Sequence, residues 1–159
     1  MTNRLQRKTF VSPDGVRLVG DHGGPIDAPC AVLMHGGGQT RHSWSRAVER
    51  LLDAGLQVIN FDARGHGDSD WSPGGAYALT DRAADLAAVT ADLHVPFILI
   101  GASLGGATSI EAVHEGLRPA GVVLVDIVPA PDPRGIERIV GFMDGHQGGF
   151  ASVDEAAAA

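Results

Sequence analysis

Residues 97–106 read FILIGASLGG, an apolar run that passes directly into a glycine-rich turn with a serine at its centre. The turn fits the pattern G-x-S-x-G, in which small residues two places before and after the serine let a strand and a helix meet at a sharp angle. We therefore predict a strand over 97–100, Ser103 on a strained turn and a helix over 104–115. The N-terminus of that helix presents free amides and the positive end of its dipole, which favour an oxyanion beside Ser103.

The segments on either side of this turn alternate between strand and helix. Short β-type runs at 7–11 and 16–20 flank the sequence SPDG, which is typical of a hairpin turn. Hydrophobic periodicity then predicts a strand at 30–34, a helix at 44–56, a strand at 57–61, a helix at 79–93 and, after the central turn, a strand at 122–125. Helical crossovers of this length join parallel strands. The predicted fold class is α/β, with a mostly parallel sheet, an N-terminal antiparallel hairpin and helices on both faces.

Two further glycine-rich loops follow predicted strands, HGGG at 35–38 and DARGHGDS at 62–69. With GASLGG they give three motifs in a fixed order, each directly after a strand. In the order of these motifs, the chain from Phe10 onward resembles the N-terminal part of proteins of the α/β-hydrolase fold superfamily. The resemblance is to the serine hydrolase branch, which is similar to esterases, cofactor-free haloperoxidases and epoxide hydrolases. The resemblance implies that Asp62, Arg64 and His66 brace their loop and take no part in chemistry.

The residue at the centre of the turn separates the reactions within this branch. Epoxide hydrolases and haloalkane dehalogenases carry aspartate there, whereas this chain has Ser103. A serine nucleophile forms an acyl-enzyme, which implies hydrolysis of carboxylic esters, lactones or activated C–C bonds. The backbone amides of Gly37 and Leu104 are the predicted oxyanion hole, with Gly38 as the second choice for the loop donor. A perhydrolase, haloperoxidase-like activity uses the same acyl-enzyme, and a non-catalytic ligand-binding homologue is the alternative of a different class.

Each of these motifs also has a plainer interpretation. Residues 101–108 have the glycine spacing of a phosphate loop but carry Ala107 where lysine is needed, and a tight turn alone favours a small residue at position 103. His35 fits a hydrogen-bonded scaffold better than a base, and residues 62–70 fit an ion-paired loop better than a metal site. Three aromatic residues are candidates for lining a substrate pocket and are equally suited to core packing: Trp44, Trp71 and Phe142.

The expected catalytic histidine has no evident counterpart. The resemblance implies the order serine, acid, histidine, and after Ser103 only His114 and His146 remain, neither of which follows a strand. Asp126, at the end of the strand at 122–125, is the candidate acid. We therefore expect the histidine beyond residue 159, with 1–128 as the N-terminal part of the core and 129–159 as the start of a truncated cap. Alone, such a fragment is expected to be nearly inactive unless a partner supplies the histidine.

Composition limits the remaining classes. A chain of 159 residues is long enough for one core. Its net charge of −7, without a basic cluster beyond the N-terminal residues, argues against a nucleic-acid surface. Cys30 is the only cysteine, so no internal disulfide forms, and there is neither an apolar run of membrane-spanning length nor a signal sequence. We predict a cytoplasmic protein with a small-molecule substrate, no cofactor or metal, and no nucleic-acid or membrane partner. The sequence does not indicate the oligomeric state.

Overall fold

A computed structural model describes residues 4–159 of the chain. It contains six strands, β1 (Leu5–Val11), β2 (Arg17–Gly23), β3 (Cys30–Met34), β4 (Gln57–Phe61), β5 (Phe97–Ala102) and β6 (Gly121–Val125). The helices are α1 (Ser45–Asp53), α2 (Leu79–Thr90), α3 (Leu104–His114), α4 (Pro133–Gly145) and α5 (Val153–Ala158), and a short 3₁₀ turn, Arg41–Trp44, precedes α1.

The six strands form one sheet in the order β1-β2-β4-β3-β5-β6. The N-terminal hairpin is antiparallel, as is the pairing of β2 with β4, and the other neighbours run parallel. The hairpin turn closes with Gly15 N donating to Ser12 O at 2.9 Å, and Gly15 adopts a φ of 86°, a region that glycine enters without strain. The predicted α/β fold class with a mostly parallel sheet and an antiparallel hairpin is confirmed.

Both faces of the sheet are covered because successive residues of β3 point to opposite sides. Val32 and Met34 lie in a core cluster with residues of α2 and α3, whereas Ala31 and Leu33 lie in a second cluster with Val48 of α1. All five residues of β3 are buried. The continuous apolar run at 30–34 thus has the position that its lack of alternation predicts, between helices on both faces.

Two predicted helices are shorter in the structure than in the sequence pattern. The helix predicted at 44–56 begins one residue later, after the 3₁₀ turn, and ends at Asp53, because Gly55 turns the chain with a φ of 80°. The helix predicted at 79–93 ends at Thr90, whose hydroxyl bonds to Leu86 O at 2.9 Å while Leu93 N bonds back to Thr90 O at 3.0 Å. The helical spacing of apolar residues continues past Asp53 and Thr90, so this spacing does not show where the two helices end.

The sheet ends at β6, whose outer edge pairs with no strand among residues 4–159. Its valines are unusually exposed for a parallel strand, at 39% for Val122, 46% for Val123 and 39% for Val125. Exposed backbone donors and acceptors on such an edge are able to accept a further strand.

The described chain divides into two compact units, the first running to Ile127 and the second comprising Val128–Ala159. In the second unit, Asp132 caps α4 by accepting from Arg134 N at 3.0 Å, and Ser152 caps α5 by accepting from Glu155 N at 3.1 Å. Neither α4 nor α5 has a buried residue. The role of this second unit as the start of a cap stays a prediction. None of the helices among the described residues combines the length and the hydropathy needed to cross a bilayer.

Candidate active site

Ser103 occupies a backbone conformation that few side chains adopt. It lies between the end of β5 and the start of α3 with φ 44° and ψ −109°, and its amide donates to Val125 O at 2.9 Å. A non-glycine residue held in such a region costs on the order of 1–3 kcal/mol and persists only where the surrounding structure dictates it. The turn therefore holds Ser103 half-buried in a strained position between a strand and a helix.

The glycines around Ser103 allow this turn because the chain segments approach closely there. A Cβ atom at Gly101 would lie 2.5 Å from Gly106 N, and one at Gly105 would lie 2.7 Å from the carbonyl carbon of Met34. Real Cβ atoms do not approach other atoms so closely, so any side chain at these positions forces the helix away from the sheet. The pattern G-x-S-x-G has the close packing that the sequence predicts for it.

Leu104 is the first residue of α3, and the first amides of a helix have no intrahelical acceptor. Ala107 N is the first amide to bond within the turn, to Ser103 O at 2.9 Å. The amide of Leu104 is therefore available to an outside acceptor at the positive end of the helix dipole.

The loop at 35–38 lies next to this helix start. A Cβ atom at Gly36 would lie 3.6 Å from Ser103 Cβ, and one at Gly37 would lie 4.0 Å from Leu104 Cδ2. The structure thus brings together the predicted nucleophile, the amide of Leu104 and the glycine loop.

The three glycine amides of this loop have different partners. Gly36 N donates to Gln39 Oε1 at 3.1 Å, and Gly38 N donates to His66 Nε2 at 3.2 Å. Within the described part of the chain, Gly37 N has no acceptor, and Gly37 is exposed. The amide of Gly38, the second choice as an oxyanion donor, is already bonded, which favours Gly37.

His35 and His66 connect this loop to the loop after β4, because each imidazole accepts a hydrogen bond from a backbone amide of the other loop. His35 Nε2 accepts from Ala63 N at 3.0 Å while its Nδ1 lies 2.8 Å from Gly36 O, and the two imidazole rings are 5.1 Å apart. Burial lowers the pKa of His35, which keeps the ring neutral and Nε2 able to accept. His35 is thus engaged at both ring nitrogens.

Asp62 is held by a buried arginine that the sequence pattern does not reveal. Its carboxylate accepts from Arg41 N at 2.7 Å, from the Arg41 guanidinium and from Asp68 N at 3.0 Å. Arg41 is only 5% exposed and also binds Asp21 and Asp68, each at 2.9 Å. Residues 62 and 68 therefore belong to an ion-pair network.

Arg64 forms a second buried ionic cluster and is 1% exposed. It binds Asp85 of α2 through two contacts of 2.6 Å, and reaches Asp14 in the hairpin turn at 2.9 Å and Ser12 at 3.0 Å. The hydrogen bond from Arg64 lowers the pKa of Asp14. One guanidinium thus joins the loop after β4, the hairpin and α2.

Asp126 follows β6 directly and is exposed with a φ of 54°. The preceding residue, Val125, accepts the hydrogen bond from Ser103 N. The candidate acid and the serine therefore both lie at the C-terminal ends of neighbouring strands. Within the described part of the first unit, Asp126 makes no side-chain hydrogen bond to a histidine.

None of the described histidines of the first unit bonds to the Ser103 hydroxyl. His114 is the last residue of α3, about 15 Å along the helix from its start. His146 lies in the second unit, where its Nδ1 is 2.7 Å from Phe142 O. The position of His114 at the far end of α3 thus gives it no contact with the serine.

The three candidate pocket aromatics have different surroundings. Trp44 packs against the core cluster of α1, and Trp71 is 75% exposed. Phe142 belongs to the second unit, where its ring centroid lies 4.5 Å from that of His146 and 6.4 Å from that of Phe150. A small cavity of about 20 Å³, enough for one water molecule, lies between His35 and Leu104 and is lined by none of the three.

Sequence reasoning missed Gln39 and Arg41, which lie one and three residues after HGGG. Both are polar residues in a loop, and such residues usually face solvent. The only available signal was their position within three residues of the glycines.

Comparisons with known proteins agree with the fold. A family model described as "Alpha/beta hydrolase family" matches residues 31–158. The chain is 26% identical over 137 residues to protein phosphatase methylesterase 1 of Bos taurus, covering 82% of this chain and 36% of that protein. It is 35% identical over 124 residues to a non-heme chloroperoxidase of Streptomyces lividans, covering 76% of this chain and 45% of that protein.

Among solved structures, the chain is similar to an alpha/beta hydrolase from Novosphingobium aromaticivorans, with a TM-score of 0.77 and 30% identity. The match covers 90% of this chain and 51% of that one. The chain spans less than half the length of the two curated relatives.

Proposed function

Because the chain belongs to the alpha/beta hydrolase family, we propose that it carries the nucleophile and the oxyanion hole of a serine hydrolase acting on carboxylic esters, lactones or related acyl compounds. The observation that carries this proposal is the strained Ser103, with a φ of 44°, at the start of α3 and next to the glycine loop. Among the described residues, the amides of Gly37 and Leu104 have no acceptor. The similarity to a methylesterase supports an ester as the substrate class.

The proposed reaction proceeds through an acyl-enzyme. Ser103 Oγ attacks the acyl carbon and loses its proton to a general base, and the carbonyl oxygen becomes an oxyanion. The amides of Gly37 and Leu104 donate to that oxyanion, and each donor contributes roughly 3 kcal/mol to stabilising the transition state. The alcohol then leaves with a proton from the base, and water hydrolyses the acyl-serine to release the acid.

The general base is assigned to a histidine of the complete protein outside residues 1–159, because no described histidine of the first unit bonds to the Ser103 hydroxyl and both ring nitrogens of His35 and His66 are engaged. Asp126 is the proposed acid that orients this histidine, on the ground that it follows the strand bonded to Ser103. The chain covers only part of its relatives' length, so this assignment concerns the complete protein.

A second candidate function is perhydrolysis, which the similarity to a chloroperoxidase favours. Here hydrogen peroxide replaces water in attacking the acyl-serine, giving a peracid in place of the acid. Both functions share Ser103 and the same acyl-enzyme, and comparing peracid with acid release in the presence of peroxide separates them.

Reaction with a fluorophosphonate tests the proposal against a protein that binds ligands without turnover. The complete protein is expected to gain one phosphonyl group on the peptide that contains Ser103. The activated serine attacks phosphorus and loses its proton to the base, fluoride leaves, and the oxyanion hole holds the phosphoryl oxygen. Ser103→Ala is expected to remain unlabelled. The matched control Ser43→Ala, at an exposed serine, is expected to label normally. A folded complete protein that gains no label is a binding protein, and the proposal is then wrong.

A further inference from the structure

The loop at 36–38 consists only of glycine, so it has no side chains of its own to fix its conformation. Glycine has the greatest backbone freedom of any residue, and Gly38 adopts a φ of 71°. An oxyanion hole nevertheless requires its donors to be fixed in advance at hydrogen-bonding distance. Other residues must therefore supply the rigidity of this loop.

Two side chains hold the amides on either side of Gly37. Gln39 accepts from Gly36 N at 3.1 Å through its side chain, while its own amide donates to Gly36 O at 3.2 Å, which closes a reciprocal pair. His66 accepts from Gly38 N at 3.2 Å through Nε2. Of the three successive glycine amides, only the middle one has no protein acceptor in the described residues.

We propose that Gln39 and His66 are positioning residues that hold the flanking amides and thereby fix Gly37 N as the donor facing Ser103. This inference rests on the proposed function, in which Ser103 is the nucleophile. Neither side chain is assigned a contact with the substrate. Their effect passes through the backbone of the loop.

The tautomer of His66 follows from its second contact. Its Nδ1 lies 3.1 Å from Arg64 O, a carbonyl that only accepts, so Nδ1 carries the proton and Nε2 presents a lone pair to Gly38 N. Both ring nitrogens are used, which leaves none to take a proton from Ser103. The hydrogen bond that His66 Nε2 accepts from Gly38 N thus suits His66 to a positioning role and makes it unsuitable as the general base.

Arg64 in turn fixes the carbonyl that orients His66. Its guanidinium is bonded to Asp85 at 2.6 Å and to Asp14 at 2.9 Å, so this residue is held from α2 and from the hairpin. Gly38 N is thereby tied, through His66 and Arg64, to the rigid part of the fold. Gln39 supplies the corresponding contact from within the loop.

A pair of substitutions at position 66 separates positioning from packing. His66→Phe keeps a ring of similar size but removes the acceptor, whereas His66→Gln retains an acceptor oxygen near the position of Nε2. The rate of phosphonylation of Ser103 by a fluorophosphonate is expected to fall on the order of 10²-fold in the phenylalanine variant, since a small misplacement of a catalytic group has that effect. The glutamine variant is expected to keep most of the rate.

Gln39→Met gives an independent measurement should His66→Phe fail to fold. Methionine has nearly the length of glutamine but no strong acceptor, so phosphonylation of this variant is expected to slow as well. Rates are compared well below the melting temperature of each variant, which removes the contribution of global stability. Phosphonylation of both variants at the unsubstituted rate would overturn the proposal.

A measurement that needs no reaction keeps this inference separate from the proposed function. In the isotopically labelled protein, a scalar coupling between Gly38 N and His66 Nε2 is expected across the hydrogen bond, with Gly37 N exchanging its proton faster than Gly36 N and Gly38 N. If the unsubstituted protein failed to label at Ser103, the proposed function would be wrong, and the coupling would still decide how the loop is held. Absence of the coupling, or protection of Gly37 N in place of Gly38 N, contradicts the inference.

Discussion

Replacing Ser103 with alanine is expected to lower kcat for ester hydrolysis by the complete protein about 10⁶-fold, the size of loss seen when a serine protease loses its nucleophile. Alanine has no group that can form the acyl-enzyme. The remaining oxyanion donors and binding contacts support only the residual rate. The measurement is the release of p-nitrophenol from a p-nitrophenyl ester, with purified wild-type and variant protein compared at equal concentration.

Ser109→Ala is the matched control for this substitution. Ser109 is buried in α3, where its hydroxyl donates to Gly105 O at 2.8 Å, and it has no place in the proposed chemistry. This variant is expected to keep kcat close to the unsubstituted value. Full esterase activity in Ser103→Ala, with the variant folded, would mean that a different residue is the nucleophile.

Replacing Arg64 with methionine is expected to lower the free energy of unfolding by about 3–5 kcal/mol, because removal of one partner leaves a buried charge uncompensated. The Asp85 side chain is only 3% exposed and would lose both of its 2.6 Å contacts. The free energy of unfolding is measured by urea denaturation of both proteins, monitored by circular dichroism.

Arg17→Met removes an ion pair of the same length from the surface and serves as the control. Arg17 lies 2.6 Å from Asp70, but both side chains are nearly half exposed, so a loss of about 0–1 kcal/mol is expected. Equal losses in the two variants would contradict the structural role assigned to Arg64.

The Arg64 variant is also expected to change how stability depends on pH. Arg64 lowers the pKa of Asp14 in the folded protein, so this pair stabilises the fold above the unfolded pKa of the carboxyl group and loses that contribution as pH falls through the folded pKa. In Arg64→Met, the free energy of unfolding is therefore expected to fall less on acidification than in the unsubstituted protein.

The fold is largely predictable from the sequence because its elements depend on local patterns. The apolar run at 30–34 has no alternation and forms the central strand buried on both faces, and the glycine spacing at 101–106 permits the close approach of α3 to the sheet. The predicted ends of α1 and α2 are wrong, since hydrophobic periodicity continues past Asp53 and Thr90, where the helices end. Gly55, with a φ of 80°, turns the chain after α1.

The candidate site is predictable only in part. Ser103 and Leu104 are adjacent in the chain, so a local motif specifies both. The partner of Gly38 N is His66, 28 residues away, and no local pattern states which loop amide is already bonded. Arg41 resembles any loop arginine in the sequence, and only the fold reveals that three carboxylates surround it.

Detection of the acyl-enzyme tests the central claim most directly. The complete protein is mixed with a slowly deacylating p-nitrophenyl ester, quenched in acid, and its peptides are weighed by mass spectrometry. The proposed function predicts a burst of p-nitrophenol equal to the enzyme concentration and one acyl group on the peptide that contains Ser103. Turnover of the ester with an acyl group on another residue, or with no acylated peptide at all, would contradict it.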